Sequence, residues 1–247
     1  MSSQSTVAII GGASGIGLAS AHKLAEAGYR IALADADTQA LKSAAQELRN
    51  EGAKVEIAPL NVLDVAAIDR CISSFAKDNR LHGLVNTAGI YQKGQAVDVS
   101  EPDWDRLIDI NLKGTFFACR AAIEVMRAGG GGSIVNLASQ SGRTKSYYSA
   151  PSYSTSKAGV IGLTMTLAAQ HGADNIRVNA VAPGVVDTPM TANSYSEEER
   201  AAMKKTIPLG RFASASEMAD IITFLISERS SYVTGQTINA NGGAWMI

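Results

Sequence analysis

The sequence predicts an α/β fold: a doubly wound parallel sheet of about seven strands with helices on both faces. Three observations carry that prediction. Short apolar runs rich in β-branched residues alternate with helix-length stretches along the whole chain. The first run, Thr6–Ile10 (TVAII), is apolar at almost every position, as strands buried on both faces are. It then leads through a glycine-rich turn, Gly11–Gly17 (GGASGIG), directly into a helical pattern from Ile16 to about Ala27. No linker, composition shift, repeat or low-complexity tract divides residues 1–247, so one domain is the economical reading.

Composition narrows the function classes. Apolar residues make up 46% and charged residues 18%, enough apolar side chain for a sizeable core. Lys+Arg number 22 against Asp+Glu 23, a formal charge of −1, which gives no electrostatic case for nucleic acid or a membrane surface. Cys71 and Cys119 sit in apolar helical patterns outside any metal or C-x-x-C spacing and read as buried packing. The start, MSSQST, is polar and there is no ~20-residue apolar span, so a soluble, cytoplasmic protein is expected.

The elements follow in order. The glycine turn is spaced G-x3-G-x-G at Gly11, Gly15 and Gly17, which lets backbone approach a pyrophosphate at the positive end of the following helix. A triphosphate-gripping loop needs Lys-Ser or Lys-Thr after its last glycine; Leu18-Ala19 stand there and exclude it. Strand Arg30–Ala34 ends at Asp35, 18 residues after Gly17, near the offset at which a carboxylate binds the adenosine ribose hydroxyls of NAD. No Arg or Lys adjoins Asp35 to offset a 2′-phosphate, so Asp35 selects NAD; Asp37 suits the N-cap of helix Thr38–Asn50. Strand Val55–Pro59 runs to Asn61-Val62, helix Val65–Lys77 to strand Leu81–Val85, and that strand to Asn86-Thr87-Ala88-Gly89.

A long helix from about Glu101 to Met126 carries Asn111 at its middle, where a poor helix former asks for a reason. After the loop Gly129–Gly132, strand Ser133–Ala138 reaches Ser139, just past a strand end where such folds collect their chemistry. Tyr153 and Lys157 follow on a helix running to about His171. Four residues place both on one face, and an ammonium beside a phenol lowers its pKa toward what an acid–base catalyst needs. Strand Ile176–Val181 leads to Pro183-Gly184. A mobile-looking polar segment, Thr191–Lys205, could cover a site over residues 190–210. Helix Ser216–Ile226 and strand Thr237–Ala240 complete the chain.

Taken together, GGASGIG, Asp35, NTAG (Asn86–Gly89), Asn111, IVNLAS up to Ser139, YSTSK (Tyr153–Lys157) and PGVVDTP from Pro183 resemble the short-chain dehydrogenases/reductases. The likeness covers essentially the whole chain and implies a Rossmann-type sheet and hydride transfer between a nicotinamide cofactor and a secondary alcohol or ketone. On that resemblance Tyr153 exchanges the hydroxyl proton and Lys157 tunes it while holding the nicotinamide ribose. Ser139 binds the substrate oxygen, and Asn111 holds a water of the proton relay. Gly11, Ser14, Gly15, Ile16 and Gly17 line the pyrophosphate and ribose, Asn61 and Val62 the adenine, and Asn86, Ala88 and Gly89 the ribose and backbone. Pro183, Gly184, Val186 and Thr188 serve the nicotinamide end.

Departures from the family pattern are Ile10 for a Thr, Thr87 for a second Asn and Asn61 for an Asp. Ser139 and Tyr153 lie 14 residues apart, one more than the family spacing, which makes Ser141 a rival hydroxyl. Gln140, Tyr147, Tyr148, Met190 and Tyr195 are candidate substrate-pocket residues. His22, His82 and His171 share no ligand spacing and read as surface or helix-end residues, and no metal site is expected. Trp104 reads as packing, and Trp245 stands between packing and stacking on a ligand. The substrate expected is a small polyol, sugar or hydroxy acid, with 3-oxoacyl-[acyl-carrier-protein] reduction the rival activity and non-catalytic NAD binding a further one. Extra apolar positions on the two long helices, Phe116, Leu163 and Leu167, predict self-association, and the resemblance implies a homotetramer, with a dimer the fallback.

Overall fold

The computed structural model describes residues 5–76, 80–192 and 194–246. Strands β1 (Thr6–Ile10), β2 (Arg30–Asp35), β3 (Val55–Pro59), β4 (Leu81–Asn86), β5 (Gly132–Leu137) and β6 (Ile176–Pro183) join a parallel sheet with the C-terminal strand Thr237–Ala240. The chain reverses its direction of travel at β1, so strands are added outward first through β2 and β3 and then through β4, β5 and β6. A crevice opens at such a reversal, outside the carboxyl ends of the strands. Strands β1 and β4 are buried along their whole length, β1 as its apolar run requires.

Helices α1 (Gly15–Glu26), α2 (Thr38–Asn50), α3 (Val65–Ala76), α4 (Glu101–Ile108), α5 (Thr115–Ala128) and α6 (Pro151–His171) supply most of the two covering layers. Two short helical segments follow, α7 (Pro189–Ala192) and α8 (Glu197–Thr206), then α9 (Ala215–Ile226). Between them lie the two-residue strands β7 (Val186–Asp187) and β8 (Ala213–Ser214), paired with each other, and the strand Thr237–Ala240 is β9. One core layer joins Ile68, Ile72 and Phe75 of α3 to Ala118, Ala122 and Met126 of α5. The other joins Leu24 of α1, Leu41 and Leu48 of α2, and Ile222 and Leu225 of α9. No helix among the described residues is long and apolar enough to cross a membrane.

Two local expectations change. The single helix from Glu101 to Met126 is broken at its centre by a π-helical stretch, Asp109–Gly114, which contains Asn111. Within the polar segment Thr191–Lys205, α8 begins at the acidic run Glu197–Glu199. Ser196 caps α8, accepting from Glu199 N while the Glu199 carboxylate accepts from Ser196 N. The end of helix Val65–Lys77 lies outside the described residues. His82 is 8% exposed rather than superficial, stacked on Tyr29 and bonded through Nε2 to Ile226 O at 3.1 Å, and burial lowers its pKa. Cys71 and Cys119 are buried as expected, with burial pushing each thiol up to about 12.

Candidate active site

Two grooves meet above the strand ends. One, of about 490 Å³, runs from Asp35 past the glycine turn to Thr188. The other, of about 470 Å³, opens around Ser139 and Tyr153, and Met190 borders both.

The glycine turn shapes the first groove by close approach. A Cβ at Gly11 (φ +82°) would stand 2.4 Å from Ala88 N, and one at Gly17 would stand 2.1 Å from Gly11 O. The Thr87 hydroxyl contacts the carbonyls of Ile10 at 2.9 Å and Gly11 at 3.0 Å, so the departure from a second Asn serves to pin the turn to β4. Ser14, the N-cap of α1, makes no side-chain cap, which leaves first-turn N–H groups facing the groove beside Gly15 and Ile16. Such a start fits a pyrophosphate.

At the far end Asp35 Oδ2 accepts from Ala13 N and Oδ1 from Asp37 N, both at 3.1 Å. Each oxygen keeps acceptor capacity for a ribose hydroxyl. Asn61 Oδ1 accepts from Leu63 N at 3.0 Å, a turn that lays Asn61 and Val62 along the groove. Ala88, Gly89 and Thr188 complete it, and these residues fit an adenine dinucleotide. Arg106 of α4 lines the groove too and was missed. It lies four residues before the groove residue Ile110, a helical-face signal present in the sequence.

Four expected cofactor residues lie elsewhere. Asn86 turns into the interior, donating to Asn136 Oδ1 at 2.9 Å beside Cys119. Val186 is buried in the β7–β8 ribbon, while Pro183 and Gly184 line the second groove.

The candidate catalytic side chains converge from three elements. Pro151 opens α6 at a position where its missing N–H costs nothing, and the next turns carry Tyr153 and Lys157. Lys157, 5% exposed, donates to Leu137 O at 2.7 Å and stands 5.9 Å from the Tyr153 ring centroid. Ser139 accepts from Ser141 N at 3.1 Å and is hydrogen-bonded to Tyr153. The Ser141 hydroxyl is instead paired with Ser149 at 3.1 Å, so Ser139 is the hydroxyl that meets the phenol. Burial pushes Tyr153 up to about 12, against the Ser139 bond and with Tyr91 adding to the rise. The expected lowering by lysine is not seen, because burial pushes Lys157 itself down to about 8 and its ammonium points at Leu137.

Asn111 is fully buried and its side chain is already engaged. Oδ1 accepts from Ile90 N at 2.8 Å, and Nδ2 donates to Ile90 O at 2.9 Å and to Ser156 Oγ at 3.3 Å. It therefore clasps the loop after β4 to α6 rather than offering a free amide to water. A Cβ at Gly89 would come within 3.1 Å of Asn111 Oδ1 and 3.6 Å of Lys157 Nζ, which places all three together.

The second groove holds Gln140, Tyr147, Tyr148, Met190 and Tyr195, as expected, and also Trp245. Arg143 stacks on Trp245 at 5.3 Å. Trp104 is 37% exposed. Tyr91 was missed: it packs edge-on against Tyr153 with ring centroids 5.0 Å apart, a contact across 62 residues that no local pattern encodes.

A family model described as enoyl-(acyl carrier protein) reductase matches residues 11–244. The chain is 41% identical over 239 residues to a 3-oxoacyl-[acyl-carrier-protein] reductase of Thermotoga maritima, covering 95% of each chain. It is 36% identical over 236 residues to D-threitol dehydrogenase of Mycolicibacterium smegmatis, covering 95% of this chain and 90% of that one. A solved short-chain type dehydrogenase/reductase from Mycobacterium ulcerans superposes with a TM-score of 0.93 at 31% identity, over 99% of this chain and 91% of the other.

Proposed function

This chain belongs to the short-chain dehydrogenase/reductase family of oxidoreductases, and we propose that it is an NAD-linked dehydrogenase of small neutral polyols or sugars. The family implies a nicotinamide cofactor, which when bound supplies the hydride acceptor or donor. The observation that carries the substrate reading is the groove around Ser139 and Tyr153. Its polar wall is hydroxyl and amide (Ser139, Gln140, Ser149, Asn241 and the tyrosines), and among its described lining residues only the exposed Lys145 is charged. A substrate carboxylate would meet no buried cation there, so neutral polyols rank above hydroxy acids. The relative named D-threitol dehydrogenase supports the same direction.

In this reading Tyr153 gives its proton to the carbonyl oxygen during reduction and, as the phenolate, takes the hydroxyl proton during oxidation. Ser139 holds the substrate oxygen, and Lys157 holds the nicotinamide ribose. Asp35 favours NAD, because a 2′-phosphate there would meet like charge. Residues 1–247 act as one cofactor-binding and catalytic domain, assembled as a homotetramer. The second reading, 3-oxoacyl-[acyl-carrier-protein] reduction with NADPH, rests on the Thermotoga maritima relative. A panel of tetritols, pentitols, cyclic diols and 3-oxoacyl thioesters, each with NAD(H) and NADP(H) and followed at the reduced-nicotinamide band, separates them. Turnover of polyols with NAD is expected; turnover of thioesters alone, with NADPH, would overturn the proposal.

A further inference from the structure

Tyr195, on the segment between α7 and α8, donates its O–H to the Tyr91 oxygen at 2.9 Å. Two phenols hold two hydroxyl protons and their mutual bond uses one of them. The Tyr195 phenol is pushed well up, by burial and then by this same bond, so it stays protonated as that bond requires. The proton left over is that of Tyr91, for which no acceptor exists among the described residues. Tyr91 is half-buried, lines the groove, and sits with its ring 5.0 Å from that of Tyr153. A directed donor therefore stands beside the reacting phenol, separate from the Ser139 hydroxyl.

We propose that the Tyr91 O–H binds a second oxygen of the substrate, one or two carbons from the reacting carbon, so that the enzyme selects diols and hydroxyketones over mono-oxygenated analogues. The inference rests on the secondary-alcohol reading of the site and adds to it a determinant of substrate class. Tyr195 acts as the positioning residue. Its bond occupies one lone pair of the Tyr91 oxygen and fixes the direction in which the remaining O–H points. Tyr195 also packs against Tyr148, ring centroids 5.8 Å apart, which holds it in place.

The test compares kcat/KM for cyclohexane-1,2-diol, butane-1,3-diol, cyclohexanol and butan-2-ol in the wild type, Tyr91→Phe and Tyr195→Phe. Tyr91→Phe keeps the ring against Tyr153 and removes only the hydroxyl. The preference for each diol over its matching mono-alcohol is expected to fall roughly tenfold in Tyr91→Phe, the worth of one neutral hydrogen bond, chiefly through KM. A smaller fall is expected for Tyr195→Phe, where the donor survives without its orienting partner. Circular dichroism and melting temperature check that each variant folds. An unchanged ratio in a folded Tyr91→Phe overturns the inference while leaving the alcohol-dehydrogenase reading intact. No turnover of any of the four alcohols by the wild type would count against the underlying reading.

Discussion

Tyr153 and Lys157 are each held by burial away from the state in which they would be charged. For Lys157 the folded pKa of about 8 lies below its ordinary 10.5, so the folded protein releases this proton before the unfolded chain does. Between those values the unfolded chain binds more protons, and stability rises with pH across that window. Below pH 8 the buried ammonium destabilises the fold by an upper bound of about 3 kcal/mol, less whatever its bond to Leu137 O returns. Lys157→Met should therefore melt higher than the wild type at pH 7 while losing activity, and the gain should fade as pH rises from 8 to 10.5. A lower melting temperature at pH 7 would refute this. Tyr153→Phe should cut turnover by at least about 10²-fold and leave NAD binding, measured by calorimetry, nearly unchanged. Asp35→Ala should weaken NAD binding and narrow its margin over NADP; equal binding of both cofactors by the wild type would refute the role of Asp35.

At the scale of the element, the π-helical stretch at Asp109–Gly114 matters most. Such a stretch displaces one residue of the register, and here that residue's side chain bridges the loop after β4 and α6. Asn111→Ala removes three hydrogen bonds and leaves the half-buried Ile90 backbone groups without their side-chain partner. The expected loss is about 2–4 kcal/mol in denaturant unfolding, with activity falling further than stability alone explains because Gly89 and Lys157 adjoin it. The helical periods at Glu101 and Phe117 were legible, but the extra residue between them was not, since apolar spacing averages over a single-turn defect. In contrast, β3 and β9 lie where their alternation with turns placed them, at Val55–Pro59 and Thr237–Ala240. Helix α8 buries only Met203, yet its acidic first turn, Glu197–Glu199, behind the cap residue Ser196 marks its start in the sequence. The glycine turn, Asp35, Ser139 and the Tyr153 pair were legible because their chemistry is tied to short spacings. Tyr91 and the burial of His82 arise from contacts across the fold and leave no local trace.

For the whole molecule the question is what covers α5 and α6. Leu167, counted on sequence as a surplus apolar residue, is buried within the chain, but Phe116 is 39% exposed and Met165 53%. A second copy laid across these helices would remove both from water. The expected species is a tetramer of about 103 kDa (4 × 25.8 kDa), and light scattering coupled to size exclusion reads it directly. A persistent 25.8 kDa species at micromolar concentration would end the proposal.

The sheet order also sets a timetable for synthesis. Strands β1 to β4 find one another within residues 6–86, before any of α6 has been translated. The outer partner of β6, by contrast, is β9, and Trp245 beyond it lines the groove around Ser139 and Tyr153. Pairing of β1–β4 can thus begin during synthesis, while the groove around Ser139 and Tyr153 waits for the last residues. In refolding, protection of β1–β4 amides should accordingly precede the return of activity, with the delay set by closure of the distant β6–β9 pair.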